Sequence, residues 1–209
     1  MPANNMPALI GIHGQQRTGK GTIANYLASA YGYKIIKFAE PIREMIRPLL
    51  RRAGIPESKI ENYFEDDVLK ETPIPLLGNR STRHLMRCVG LQFRDAVDVK
   101  LFQYLAEGEI TKQLQAGNRV AIDALRFPHE LEFLKSQEAQ LWWVERPGYT
   151  KPVTAATHPS EIPLPREEFH AAFINDKGIV ELHRGIEQAL LEWRLQIDNP
   201  NQRAMSPAL

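Results

Sequence analysis

The run Gly14-Gln15-Gln16-Arg17-Thr18-Gly19-Lys20-Gly21-Thr22 constrains this chain more than any other feature. It sets two glycines five residues apart before a lysine. Upstream lies a short apolar segment, Ala8-Leu9-Ile10-Gly11-Ile12-His13, that reads as a strand buried on both faces. Downstream, Ile23, Leu27 and Ala30 recur at helical spacing, so a helix is expected from about Gly19 to Tyr31. A glycine-rich turn between such a strand and such a helix lets successive backbone N–H groups converge on phosphate oxygens. The amino end of the helix adds positive potential, and the lysine adds a mobile cation for β and γ phosphates. Gly14, Gln16, Arg17, Thr18, Gly19, Lys20, Gly21 and Thr22 are therefore expected to bind a nucleoside triphosphate, with Lys20 also taking part in catalysis.

The remaining pattern alternates strands and helices. Gly32 gives a helix stop, Tyr33 to Phe38 reads as a second strand, and Glu40 to Arg47 as a helix with Pro41 in its first turn. Pro48 is expected to kink or restart that helix. From Glu57 to Leu77 periodicity is weak, and Pro73, Pro75 and Gly78 mark a loop. Ser81 or Thr82 can cap a helix that runs to about Asp95 and continues after a bend through Gln115. Arg119–Leu125, Ala139–Glu145 and Phe169–Asn175 read as strands; Phe127–Gln137 and Lys177–Ile197 read as helices. Between Arg146 and Pro165 stand Pro147, Pro152, Pro159, Pro163 and Pro165, which predicts a long loop or lid. The alternation predicts a single α/β domain, residues 1–209, three layers deep around a mostly parallel five-stranded sheet, with its ligand at the carboxyl ends of the strands.

Composition narrows the partners. Lysine and arginine number 26 against 25 acids, a net charge of +1, so no polyanionic partner is demanded and nucleic acid is not expected. The single cysteine, Cys88, rules out an internal disulfide and is expected to be a small buried side chain. Residues 1–7 lack the basic and apolar pattern of an export signal, and no segment approaches the roughly 20 apolar residues of a membrane span, so a cytoplasmic location is expected.

Three further features bear on chemistry. Val120-Ala121-Ile122-Asp123 is an apolar strand ending in an acid, and a carboxylate there can hold Mg²⁺ through water; Arg126 follows it. The hydroxyl usual directly after the lysine is displaced to Thr22, which leaves its ligation of Mg²⁺ open. On a helix through Ser81–Asp95, Arg83, Arg87 and Arg94 share one face with Gly90, opposite Leu85, Met86, Val89 and Phe93. No acid interrupts that face, so its guanidinium groups are expected to be available to a phosphate, or simply solvated, with Gly90 leaving room for a ligand. Arg43, Arg47 and Arg51 form a second basic row. Arg146 and Lys151 could close over phosphates and exclude water. His158 and Glu161 either fasten the loop or touch substrate, and the Trp142–Trp143 pair is expected in the core. No general base is evident, which favours an acceptor that is already an ionised phosphate over a hydroxyl.

The GKGT ending resembles that of adenylate kinase-like enzymes. The chain as a whole resembles the deoxynucleoside monophosphate kinases of tailed bacteriophages. The likeness rests on GQQRTGKGT, GYKIIKFAEPIREM from Gly32, TRHLMRCVGLQFRD from Thr82, VAIDALRFPHE from Val120, HPSE from His158 and FINDKGIVEL from Phe173. The resemblance implies a P-loop fold with a helical acceptor-binding insertion at about 40–116 and a lid at about 146–165. It implies ATP and Mg²⁺ as co-substrate and cofactor, and phosphorylation of a deoxynucleoside monophosphate lying over the Arg83 helix, in the host cytoplasm if the protein is phage-encoded. Arg126 and Arg146 are then catalytic candidates. Arg43, Arg83, Arg87, Gln92 and Arg94 are candidates for the acceptor, although Arg87 stands where a glutamine is expected and Gln92 where a threonine or acid is commoner. Base choice and a possible homodimer stay open. Two other readings share the core: a kinase acting on a modified base within phage DNA, and an ATP-binding switch or assembly factor with no small acceptor.

Overall fold

The computed structural model describes residues 6–149 and 158–198. The chain divides into two compact units, Met1–Lys37 with Glu109–Leu209, and Phe38–Gly108. Strand β1 (Leu9–His13), helix α1 (Lys20–Tyr31) and strand β2 (Lys34–Ile36) come first. The 38–108 unit holds α2 (Glu40–Arg52), α3 (Glu57–Ile60), α4 (Asn62–Glu65), α5 (Thr82–Ala96) and the start of α6 (Leu101–Gln115). Strand β3 (Val120–Leu125), α7 (Pro128–Ser136), β4 (Gln140–Glu145), β5 (Ala171–Ile174) and α8 (Ile179–Asp198) complete the first unit.

The strands form one sheet in the order β2-β3-β1-β4-β5, and every neighbouring pair is parallel. The central strand β1 is buried along its whole length, as its unbroken apolar sequence requires. Its side chains alternate between two helical layers. Ile10 and Ile12 pack with Ile23, Ala24 and Leu27 of α1 and with Leu182, Ile186 and Leu190 of α8. Gly11 faces the other way, where a Cβ would lie 2.6 Å from the Leu134 side chain of α7 and 3.2 Å from that of Leu141, so a larger residue would have to displace those buried side chains. Each fully buried Ile or Leu contributes on the order of 1.5–3 kcal/mol. The result is a three-layer α/β fold of the P-loop type with a five-stranded parallel sheet.

Strand β2 is shorter than Tyr33–Phe38 and pairs only at Lys34, Ile35 and Ile36. Tyr33 instead buries its ring, and its hydroxyl donates to the Pro7 carbonyl at 2.6 Å. Gly32 closes α1 in the left-handed conformation, φ 73°.

In the 38–108 unit the restart that Pro48 allowed for does not occur. Helix α2 neither stops nor restarts there but runs on to Arg52. Proline removes one backbone donor. The helix persists because Ile42, Ile46 and Leu50, four residues apart, are buried together against Ile60, Phe64, Ile74 and Phe102. The same burial explains why Glu57–Leu77 is not a plain loop: Ile60 and Phe64 anchor α3 and α4, followed by 3₁₀ turns at Leu69–Glu71 and Pro75–Leu77. Ser81 caps α5, its Oγ accepting from the His84 N–H at 3.3 Å. Helix α6 is separate, because Asp98 turns the chain by accepting from the Lys100 N–H at 2.6 Å. Among the described residues no helix is long and apolar enough to cross a membrane.

Candidate phosphate-binding site

The turn between β1 and α1 is fastened by its own side chains and by Asn175. Thr18, 1% exposed, donates its hydroxyl to the Gln15 carbonyl at 2.9 Å. Asn175, past the end of β5, donates to the Thr18 carbonyl at 3.0 Å. Gly14 lies against β4, where a Cβ would stand 2.2 Å from the Val144 carbonyl oxygen. Gly19 is the residue before α1 and adopts φ 111°, with a Cβ position 2.6 Å from the Asn175 amide. The Lys20 ammonium folds back onto the turn and donates to the carbonyls of Gly14 at 2.8 Å and Gln15 at 2.7 Å. Gly19 offers no side-chain cap and the first turn of α1 carries no acid, so the positive helix end is not offset by its own side chains. Arg17 is exposed with φ 65°, Gln16 and Thr22 are half-buried, and nothing lies within 4 Å of a Cβ at Gly21.

Asp123 sits toward the carboxyl end of β3, the strand beside β1. Its carboxylate lies 3.5 Å from the Lys37 ammonium and is largely shielded from solvent. The pairing of β1 with β3 slips between Gly11 and His13, so His13 stands opposite Leu125. Among the described residues no cluster of three or more His, Cys, Asp or Glu side chains is placed to hold a metal.

Arg126 follows β3. The Glu130 carboxylate, 2% exposed, accepts from the backbone N–H groups of Arg126 at 2.8 Å and Phe127 at 3.1 Å, capping α7. The Arg126 guanidinium lies 3.5 Å from Glu161. Arg146 is exposed just past β4, its guanidinium 4.3 Å from the Tyr149 ring centre. His158 accepts from the Ser160 N–H at 3.2 Å and lies 2.8 Å from the Ser160 hydroxyl, a local fastening of the loop. Lys151 lies outside the described residues.

One relative now bears on this arrangement. A protein of Acanthamoeba polyphaga mimivirus, named "Putative deoxynucleotide monophosphate kinase", is 27% identical over 190 residues, spanning 85% of this chain and 93% of the relative. No protein-family description matches the chain.

Within the 38–108 unit, the predicted acceptor residues differ in their surroundings. Arg43 pairs with Glu65 and Glu40, Arg47 with Glu61 and Glu40, and Arg51 with Glu57. Arg83 pairs with Glu71. On α5 no acid stands between the arginines, as expected, and Arg83 takes its acid, Glu71, from outside that helix. Arg94 turns back along its own helix, donating to the Gly90 carbonyl at 3.3 Å and lying over the Phe102 ring at 5.1 Å. Gly90 is buried, and its Cβ position lies 2.9 Å from the Arg94 guanidinium and 3.3 Å from Ile42, so the space it leaves is taken up by Arg94 and by α2. Arg87 and Gln92 are exposed, and Phe93, expected on the buried side, is 40% exposed. Cys88 is exposed too, its sulfur 3.3 Å from His84 Nε2. Trp142 is core, as expected, whereas Trp143 is only half-buried.

The functional candidate that sequence reasoning missed is His13. It is 4% exposed and faces Trp143 at 4.9 Å and Phe169 at 5.4 Å, ring centre to centre. Its Nδ1 lies 2.9 Å from the Leu125 carbonyl, and its Nε2 accepts from the Leu164 N–H at 3.3 Å, which fixes the neutral tautomer with the proton on Nδ1. Burial pulls its pKa down to about 4, assisted by the charges of Lys20 and Arg126 and opposed by the Leu125 carbonyl. The unfolded ring binds a proton near pH 6.5 and the folded one only near 4. Stability owed to this ring is thus complete above about pH 6.5 and falls as pH drops through 4, by about 3 kcal/mol in total. Thermal melts between pH 7.5 and 4 are expected to show a shallower acid decline in His13→Phe than in wild type; identical slopes would count against this assignment.

Proposed function

We propose that this chain transfers the γ-phosphoryl group of ATP to a deoxynucleoside monophosphate, giving ADP and a deoxynucleoside diphosphate. The observation that carries the reading is the turn itself. It places Lys20 on the carbonyls of Gly14 and Gln15 at the carboxyl end of the central parallel strand, with no acid in the first turn of α1. A triphosphate is the ligand whose oxygens would draw that ammonium outward and meet the amides of residues 14–22. The name of the mimivirus relative supports a nucleotide as acceptor.

In this reading an oxygen of the acceptor phosphate attacks Pγ, the bond from Pγ to the β–γ bridging oxygen breaks, and ADP leaves with that oxygen. The acceptor is already ionised, so no side chain need remove a proton. The protein's work is alignment and charge compensation. Gly14, Gln16, Arg17, Thr18, Gly19, Gly21 and Thr22 wrap the donor, and Lys20, Arg126 and Arg146 offset charge on the transferring group. The donor set near the turn suits Mg²⁺, a hard ion that takes one or two carboxylates plus phosphate oxygens. Asp123 would hold it through water, with the Thr22 hydroxyl as a second oxygen. Bound there, Mg²⁺ would neutralise β- and γ-phosphate charge. Arg43, Arg83, Arg87 and Arg94, with Gln92, take the acceptor; Arg43 and Arg83 must release Glu65 and Glu71 to do so. Such an enzyme works where ATP and deoxynucleotides are pooled, in the cytoplasm.

Release of ADP measured across the common deoxynucleoside monophosphates and modified pyrimidine monophosphates tests the reading. Stimulation of ADP release by at least one of them is expected. ADP release that no monophosphate accelerates would overturn it, and label transfer from ATP to duplex DNA carrying modified bases would replace it with a DNA-directed kinase.

A further inference from the structure

We infer that His13 is a positioning residue for Arg126, joining the β1 end, the β3 end and the 158–164 segment into one clamp. The inference rests on the kinase reading above. His13 is the last residue before the phosphate turn. One ring nitrogen engages the carbonyl of Leu125, whose own peptide bond carries the backbone of Arg126. The other accepts from the N–H of Leu164, three residues beyond Glu161, and Glu161 is the carboxylate facing the Arg126 guanidinium. Both the root of the arginine and the anchor at its tip are thereby referred to a single ring.

The surroundings make that ring hard to replace. Trp143 and Phe169 pack against it and against each other, Leu125 is fully buried and Leu164 is 5% exposed. A phenylalanine could fill the same space, but it would take a partner from a buried carbonyl and a buried N–H, and the two segments would lose their common reference. A neutral imidazole with its proton on Nδ1 satisfies both groups at once. Arg126 touches the reacting groups in the proposed mechanism; His13 does not, and acts through it.

A double-mutant cycle separates this role from bulk stability. His13→Phe is expected to lower kcat roughly tenfold with little change in the KM for ATP, because small misplacements of a charge-compensating group are costly. His13→Gln, which keeps a donor and an acceptor, should recover part of the loss, and it serves if the Phe variant fails to fold. In an Arg126→Ala background the same His13 substitution should change kcat by less than about twofold, since the group it positions is gone. Equal losses in both backgrounds would overturn the inference, as would a loss confined to the KM for ATP. Hydrogen exchange at the Leu164 amide reads the clamp without any turnover: exchange roughly ten times faster in His13→Phe is expected, and unchanged exchange also overturns it. Wild-type protein that phosphorylates no monophosphate would overturn the kinase reading separately.

Discussion

Replacing Lys20 with alanine is expected to cut kcat/KM for phosphoryl transfer by roughly 10²–10³-fold while leaving the fold in place. The ammonium lies on the turn, donating to the carbonyls of Gly14 and Gln15. Those contacts are partly solvent-accessible and in water are worth only about 1 kcal/mol, so the melting temperature should fall by roughly 2–4 °C. An ADP-release assay beside a thermal melt checks both halves. Near-wild-type turnover in Lys20→Ala would remove the central element of the mechanism, and a collapse of the melt would reassign the lysine to structure.

Gly14→Ala should instead act on stability. The added methyl carbon would stand 2.2 Å from the Val144 backbone oxygen and 2.7 Å from the Thr18 hydroxyl. Neither can yield easily: Val144 lies in the interior of a buried strand, and Thr18 is held to Gln15. A cost of about 3 kcal/mol is expected, or a drop of roughly 6–12 °C in melting temperature. Gly21→Ala is the matched control. Nothing lies within 4 Å of its Cβ position and the site is in the first turn of α1, so thermal stability should hold or rise slightly. Equal melting temperatures for the two alanine variants would show that the crowding at Gly14 is relieved by movement.

Much of this was legible in the sequence for a physical reason. The glycine-rich turn between β1 and α1 depends on local chemistry: glycines at fixed spacing, a lysine, and a strand and helix that announce themselves by opposite periodicities. The parallel order follows from strands such as Leu9–His13 that are apolar up to their last residue and buried at every position, because only helical cover on both faces can bury them. Asp123 was legible as an acid at a strand end, and its placement beside β1 needed the fold. What could not be read was set by residues distant in sequence. Pro48 signals a break, and the stripe Ile42–Ile46–Leu50 overrides it only because Phe64, Ile74 and Phe102 wait on the other side. Arg83 looks free along its helix, and its partner Glu71 arrives from another segment; Arg43 has Glu40 one turn back and takes Glu65 from that segment as well. His13 reads as one more strand residue until Leu125 and Leu164 are brought to its two nitrogens. A polar residue closing an otherwise apolar strand was the only local hint of its role.

The central place of β1 has a kinetic consequence. It is made first among the strands, yet its sheet neighbours are β3 and β4, and His13 meets a carbonyl 112 positions downstream. During synthesis the apolar segment Leu9–Ile12 must therefore remain without its permanent partners until the chain has grown past β4, and closing so wide a loop is entropically slow. The 14–22 turn, whose Gly14 lies against Val144 of β4, cannot acquire its shape before then. Nascent chains of this protein are accordingly most prone to self-association in the interval before β4 emerges from the ribosome.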